Sequence, residues 1–361
     1  MGRSLLIGRI AGIRILIHWT FLLLLGFIVF SEMRKGSDTV AIVATIGFVL
    51  ALFACVVLHE LGHSLTARRF GIETKKITLL PIGGVASLER IPEDPKQELW
   101  VALAGPAVNV VIALLLYPFV ASFSDESLSG EGVGNVATTQ GFFSALFRVN
   151  VALVLFNAIP AFPMDGGRVL RALLALRLGR IRATSIAAGL GQLIAVGFVF
   201  FGLFNNPFLI LIGIFVYFGA QTENVVVQHL ELLKDYTVRN AMMTNFVTLA
   251  PTDTVKDAAD KLLSGSDQDL IVVDNDQAIG VMTRPLIMDS LRQNRLDTSV
   301  VDVMERDFDT VQIGDRLTEV YSNAQRKPNA FYPVLENHRL RGVIDMNNIN
   351  EFVTIRAALR Y

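Results

Sequence analysis

A single cysteine, Cys55, stands among 361 residues. One thiol excludes an intramolecular disulfide, and its place in an apolar run marks it as a small core residue. Charge is scarce as well. Lys, Arg, Asp and Glu make up 18% of the chain and nearly cancel, leaving a formal net charge of −1. No basic tract occurs, so nothing in the charge pattern points to nucleic acid. The first apolar run is long and has Arg3, Arg9 and Arg14 ahead of it, so it is expected to stay in the chain rather than leave as a cleaved leader. What the chain has in abundance is apolar surface: 52% of its residues are hydrophobic and the mean hydropathy is +0.49. That balance excludes a purely soluble protein and implies a polytopic membrane protein. The last third differs, because 18 of the 33 acidic residues lie from Tyr236 onward, and it reads as soluble.

Apolar segments long enough to span a bilayer, at about 20 residues each, occur near 15–31, 40–67, 99–122, 142–162, 185–204 and 206–224. The fifth and sixth are joined by Asn205-Asn206-Pro207, a turn that allows only a helical hairpin. Lys and Arg concentrate in alternate connections: Arg3, Arg9 and Arg14; then Arg68, Arg69, Lys75, Lys76, Arg90 and Lys96; then Arg168, Arg171, Arg177, Arg180 and Arg182. The opposite side holds Arg34, Lys35, Arg148 at a helix end, and an acidic loop around Asp125, Glu126 and Glu131. Six helices in the cell membrane, with both termini cytoplasmic, satisfy this asymmetry.

On the second span lies His59-Glu60-Leu61-Gly62-His63, preceded by Val40 to Leu58 without one charge. Histidines four apart share a helix face one turn apart, so both imidazoles can reach one metal ion, and Glu60 beside them can take a proton from an attacking water. His63 lies only about 8 Å of helix rise before Arg68, which puts the site inside the bilayer near its cytoplasmic face. A catalytic zinc needs a third protein ligand. Asp165, where the fourth segment returns to the same side, is the candidate, because an ionised residue at that depth is costly unless paired or metal-bound. Pro160, Pro163 and Gly166-Gly167 are expected to break the helix there and free backbone groups for an extended peptide.

The HExxH helix, the segment Asn157-Ala-Ile-Pro-Ala-Phe-Pro-Met-Asp165-Gly, and Gly105-Pro106-Ala-Val-Asn109 together resemble the site-2 protease family of intramembrane zinc metalloproteases. Arg14-Ile-Leu-Ile-His18-Trp19 is similar to that family's approach to its first helix, and the likeness covers roughly residues 1–225. It implies one Zn2+ on His59, His63 and Asp165, Glu60 as general base, and substrate contacts from Asn157 and Pro163. Asn109 is a further candidate substrate contact, weighed against the commoner use of buried Asn in bridging helices. Met164 stands where the family has Leu. Leu80 to Val85 resembles the family's membrane-embedded hairpin, which could offer a strand edge to substrate. His18 beside Trp19 reads as an interfacial anchor, and His229 and His338 as solvent-side residues.

After a linker at 226–236, residues 237–361 carry an internal repeat, divided at 237–297 and 298–361. Each copy has a helix (Thr254–Ser264; Arg316–Gln325) and paired strands (Leu270–Val273 with Ile279–Met282; Phe331–Leu335 with Arg341–Ile344), followed by a closing helix. The module resembles a tandem pair of CBS domains, an α+β fold that often binds adenine nucleotide. Thr283, Arg284 and Asn348 are the candidate nucleotide contacts. Leu286 and Asn348 replace the Asp that holds the ribose in that family, so the module serves either as a nucleotide sensor or as a structural unit that could form a homodimer. The resemblance implies a transmembrane-segment protein as substrate and the lipid bilayer as surroundings. The rival reading, a CBS-gated metal or ion transporter, predicts polar residues strung along a pore, and few lie outside the zinc constellation.

Overall fold

The computed structural model describes residues 4–81, 83–88, 92, 94–122, 136–265, 269–327 and 331–359. Arg3, Ile82, Arg90 and the acidic loop at Asp125, Glu126 and Glu131 lie outside them. The chain divides into two units, Met1–Val227 and Gln228–Tyr361.

The first unit opens with β1 (Ser4–Ile10) and β2 (Ile13–His18), an antiparallel hairpin where a spanning helix is expected from residue 15. The reason is a period of two: Ile13 and Ile15 are buried while Arg14 between them is exposed, which suits a strand. The two-residue turn has Ala11 at φ +50° and Gly12 at φ +88°, the left-handed pair that tight hairpins need. Helix α1 (Thr20–Arg34) therefore has only 15 residues. Next come α2 (Thr39–Arg69), β3 (Thr74–Leu80), β4 (Gly83–Leu88), α3 (Pro95–Ala121), α4 (Thr139–Asn157), α5 (Asp165–Leu178), α6 (Arg180–Phe204) and α7 (Pro207–Leu233). Among the described residues, α2, α3, α4, α6 and α7 are long and apolar enough to cross a membrane. Their outer faces expose large apolar side chains such as Leu115, Phe204 and Phe218, as a lipid solvent allows.

The four strands form one sheet in the order β1-β2-β3-β4, with β2 and β3 parallel. Its inner face, through Ile13, Ile15, Ile77 and Leu79, packs on Phe21 of α1 and on Phe53, Val57 and Leu61 of α2. Edge strand β4 is thereby laid along the helix that carries the two histidines.

The stretch 226–236, read from sequence as a linker, is largely the last turns of α7, and Leu230, Leu232 and Leu233 belong to a core of the second unit. That unit contains β5 (Thr248–Leu249), α8 (Val255–Ser264), β6 (Asp269–Asp274), β7 (Gln277–Thr283), α9 (Arg284–Arg292), α10 (Val300–Val303), β8 (Val311–Gln312), α11 (Leu317–Ala324), β9 (Phe331–Glu336), β10 (Arg339–Asp345) and α12 (Met346–Leu359). Two three-stranded sheets, β5-β6-β7 and β8-β9-β10, repeat one pattern, and each hairpin turns on two left-handed residues, Asn275-Asp276 and Asn337-His338.

The halves that pack together are not the halves that follow one another in sequence. The lead-in of the first copy pairs with the second: Val238 N–H donates to the Asp315 carbonyl at 3.0 Å, and Met243 bridges to Val343. The lead-in of the second copy pairs with the first, through Val300 N–H to the Asp253 carbonyl at 2.9 Å and the bridge from Glu305 to Val281. Val238 is buried in one core with Leu317 and Tyr332; Val300 and Met304 are buried in the other with Leu249 and Met282. A division at 297/298 thus separates each core from one of its own walls.

Candidate active site

Helices α2 and α3 cross closely because Gly62 has no side chain: a Cβ there would lie 2.7 Å from the Ala104 carbonyl oxygen and 2.8 Å from a Val108 methyl. The closeness matters one turn to either side. Three α3 residues spaced by four, Val101, Gly105 and Asn109, share a face, and that face meets the two histidines. His63 Nδ1 lies 2.7 Å from the Val101 carbonyl oxygen, and His59 Nδ1 lies 3.1 Å from Asn109 Oδ1. Both partners are acceptors, so each ring carries its proton on Nδ1 and turns the lone pair of Nε2 inward. Between them sits Gly105, where a Cβ would collide with the His63 ring and stand 2.8 Å from His59 Nε2.

The third donor comes from α5. His59 Nε2 and His63 Nε2 are 3.1 Å apart, and Asp165 Oδ2 lies 3.2 Å from each. All three residues are buried. A tetrahedral zinc with ligand bonds of about 2.0–2.1 Å needs donors separated by about 3.3 Å. The donor triangle therefore fits zinc in identity and in spacing, and it is the one such group found among the described residues.

Asp165 is the first residue of α5, with Met164 as N-cap. Gly166 and Gly167, expected to break a helix, instead form its first turn. Their missing side chains let the loop from Ala158 to Phe162 fold against them, since a Cβ on Gly167 would lie 2.6 Å from the backbone of Ala161 and Phe162. That loop carries a cis peptide bond between Phe162 and Pro163. Arg171, one and a half turns further along α5, is fully buried. Its guanidinium lies 4.9 Å from the Phe162 ring centre, bonds to Glu98 of α3, and donates to Glu223 of α7 at 2.6 Å. One cation thus joins three helices and the loop leading to Asp165.

Glu60 is only partly buried, and Gly84 of β4 lies against it: a Cβ there would stand 2.9 Å from Glu60 Cγ. The free edge of the sheet passes beside the carboxylate. Asn157, at the C-terminal end of α4, is half-buried, and no hydrogen bond of its amide occurs among the described residues. Pro163 is exposed and touches α7 at Gly219. Asn109, read from sequence as a substrate contact, is fully buried and spends its carbonyl on His59; its Nδ2 has no partner. Sequence reasoning assigned no part to Val101, whose backbone carbonyl acts, or to the Arg171 cluster. Glu98 and Glu223, charges set within apolar helices, were the available signal for the latter.

In the second unit, Thr283 and Arg284 stand at the β7–α9 junction and Asn348 in the first turn of α12. The Asn348 amide is already engaged, accepting from Asp345 N–H at 3.0 Å while the Asp345 carboxylate accepts from Asn348 N–H at 2.8 Å. Asp269 accepts from Arg284 N–H at 2.8 Å.

Two imidazoles and a carboxylate buried among bilayer-length helices, with a second carboxylate alongside, make this a membrane metalloprotease with a soluble module attached. Residues 47–204 match peptidase family M50, and residues 235–292 match the CBS domain. The zinc metalloprotease MJ0392 of Methanocaldococcus jannaschii is 34% identical over 356 residues, which is 98% of this chain and 97% of that protein. The solved site-2 protease from Methanocaldococcus jannaschii is 37% identical and covers 62% of this chain and 95% of its own, with a TM-score of 0.43. The CBS domain pair of protein MJ0100, solved with 5′-methylthioadenosine and S-adenosyl-L-methionine, is 18% identical over 34% of this chain and 98% of its own, with a TM-score of 0.31. The chain belongs to peptidase family M50, the site-2 protease family, and carries a CBS module.

Proposed function

We propose that this protein is a site-2-type intramembrane endopeptidase that cuts the spanning segment of another membrane-anchored protein, and that His59, His63 and Asp165 hold its zinc. The observation that carries this reading is the buried donor triangle with Glu60 beside it, on a helix apolar enough to cross the bilayer. When bound there, zinc supplies a Lewis acid that polarises the scissile carbonyl and makes water a better nucleophile at neutral pH.

The protein's own groups supply the rest. Glu60 takes the proton of the attacking water and passes it to the leaving amine nitrogen, with its carboxylate returning unchanged. A helix hides its peptide bonds, so the substrate must become extended. The outer edge of β4 offers unpaired backbone N–H and C=O groups in register beside Glu60, the arrangement for adding one more strand. The amide of Asn157 and the exposed ring of Pro163 are the side chains assigned to seat the extended substrate. Charge placement supports cytoplasmic termini, a site nearer the cytoplasmic face, and product release to that side. The role so implied is regulated proteolysis that frees a membrane-held factor. For the CBS module we propose regulation of this cleavage, with adenine nucleotide held weakly if it binds, because neither copy supplies a ribose carboxylate.

The test is cleavage of a spanning-segment substrate by the reconstituted protein against Glu60→Gln. The variant should keep its zinc and lose roughly 10²–10⁴-fold in rate. Substantial cleavage by Glu60→Gln would remove Glu60 from this role.

A further inference from the structure

The outer face of the four-stranded sheet is not needed for catalysis, and it is charged in an unusual way. Arg9 is directly opposite Arg14 across β1 and β2, and Arg14 is directly opposite Lys76 across β2 and β3. Paired positions in a ladder share a face, so three cations stand in one row about 10 Å across. Ile13 and Ile15 point into the core, which fixes Arg14 and its neighbours on the other side. Arg68, at the end of α2, adds a fourth positive group beside the row by donating to the Ala11 carbonyl in the hairpin turn at 2.9 Å. No carboxylate among the described residues pairs with Arg9, Arg14 or Lys76. Like charges directly opposite each other in a sheet are destabilising unless something neutralises them.

Two strand positions along, the same face becomes apolar. Leu6 pairs with Leu16, and Leu16 with Thr78. The rest of β1 exposes Leu5, Ile7 and Ile10 at 47–58%, and β2 runs on through exposed Trp19 into α1. At 15 residues α1 rises only about 22 Å, short of the ~30 Å hydrocarbon core. The hairpin continues α1 toward the bilayer surface, with its apolar end at the hydrocarbon boundary and its cationic end among the headgroups. The open edge of β1 can stand there because headgroups and water satisfy its backbone, which hydrocarbon could not.

We propose that this face is a docking surface for anionic phospholipid: the lipid phosphate sits on the Arg9–Arg14–Lys76 row and its acyl chain runs along Leu6 and Leu16 toward Trp19. Cations near a membrane surface each draw anionic lipid severalfold, and three of them in one row should concentrate that preference at this face.

The test uses the full chain with Trp100→Phe, which leaves Trp19 as its one indole, in phosphatidylcholine bilayers. A minor share of phosphatidylglycerol brominated midway along its chains is compared with the same share of brominated phosphatidylcholine. From Arg14 to Trp19 is about 16 Å of strand, which brings mid-chain bromines within quenching range. Brominated phosphatidylglycerol should be preferred roughly fivefold or more at Trp19. Arg9→Gln/Arg14→Gln/Lys76→Gln should lose the preference, and Arg9→Lys/Arg14→Lys should keep it. Equal quenching by the two lipids, or a preference that survives in the triple Gln protein, overturns the proposal. So does a preference abolished by inorganic phosphate at equal ionic strength, which would mean a site for soluble anions.

Discussion

What α3 brings to the histidines of α2 is two acceptor oxygens and an empty place. The empty place is Gly105. Gly105→Ala puts a methyl where the imidazole nitrogens converge, so zinc content, measured by elemental analysis of the purified protein, should collapse while the helices remain assembled. Asn109→Ala should act more gently. His59 loses the acceptor that fixes its tautomer, and metal affinity should fall about 10–100-fold by chelator competition. Asp165→Ala leaves two protein donors and should lower both zinc content and turnover. The proposed ligands His59, His63 and Asp165 and the proposed base Glu60 stand out in the sequence because each residue type offers its own side-chain chemistry at a telling spacing. Val101 acts through a backbone carbonyl and Gly105 through absence, and neither leaves a mark in residue type. Asn109 was noticed and given a different task, since an amide that supports a ligand and one that meets a peptide look alike until the ring beside it is placed.

Among elements, α5 departs furthest from its reading as a charged connection. Five Arg residues between 168 and 182 mark a charged connection between spans, yet the buried one, Arg171, neutralises Glu98 and Glu223 and ties α3, α5 and α7 to the loop that ends at Asp165. Arg171→Ala would strand the buried Glu98 and the partly buried Glu223 and should destabilise the membrane unit by about 3–5 kcal/mol, seen as a lower thermal midpoint in detergent. Arg171→Met together with Glu98→Gln and Glu223→Gln should recover much of that loss, because no buried charge remains unpaired. The helices of 19 or more residues were legible from apolar length alone. The β1–β2 hairpin was not: its alternation runs straight into the apolar residues of α1, and a hydropathy window averages the two periods into one span.

Taken whole, the chain joins a bilayer-sized helical unit to a repeat whose copies exchange their lead-ins. The repeat was legible through its duplicated hairpins; the exchange was not, because short apolar lead-ins suit either core equally well. At the junction of the copies, burial and the neighbouring Asp345 charge hold the Asp269 carboxyl above its usual range, against the hydrogen bond from Arg284 N–H. A carboxyl pKa raised by folding favours the fold below its unfolded value, and that contribution is lost as pH rises through the folded value. Asp269→Asn should therefore raise the thermal midpoint of the CBS transition at neutral pH, with the gain fading as the solution is acidified. The same change should strengthen any calorimetric signal from ATP, ADP or AMP, by removing a negative charge close to Arg284. Absence of binding at millimolar nucleotide in both proteins would leave regulation to assembly. The exchanged lead-ins also set an order on synthesis. Val238 to Met243 leave the ribosome some seventy residues before β8, the first of the strands they serve, and the first core cannot close until Val300 and Met304 have emerged. The first half cannot close from its own residues alone, whereas the second finds its lead-in already made. The first half must wait, open, until Met304 is translated, and a ribosome stalled near residue 297 would release it with its core uncapped and the lead-in at Val238 to Met243 unpartnered.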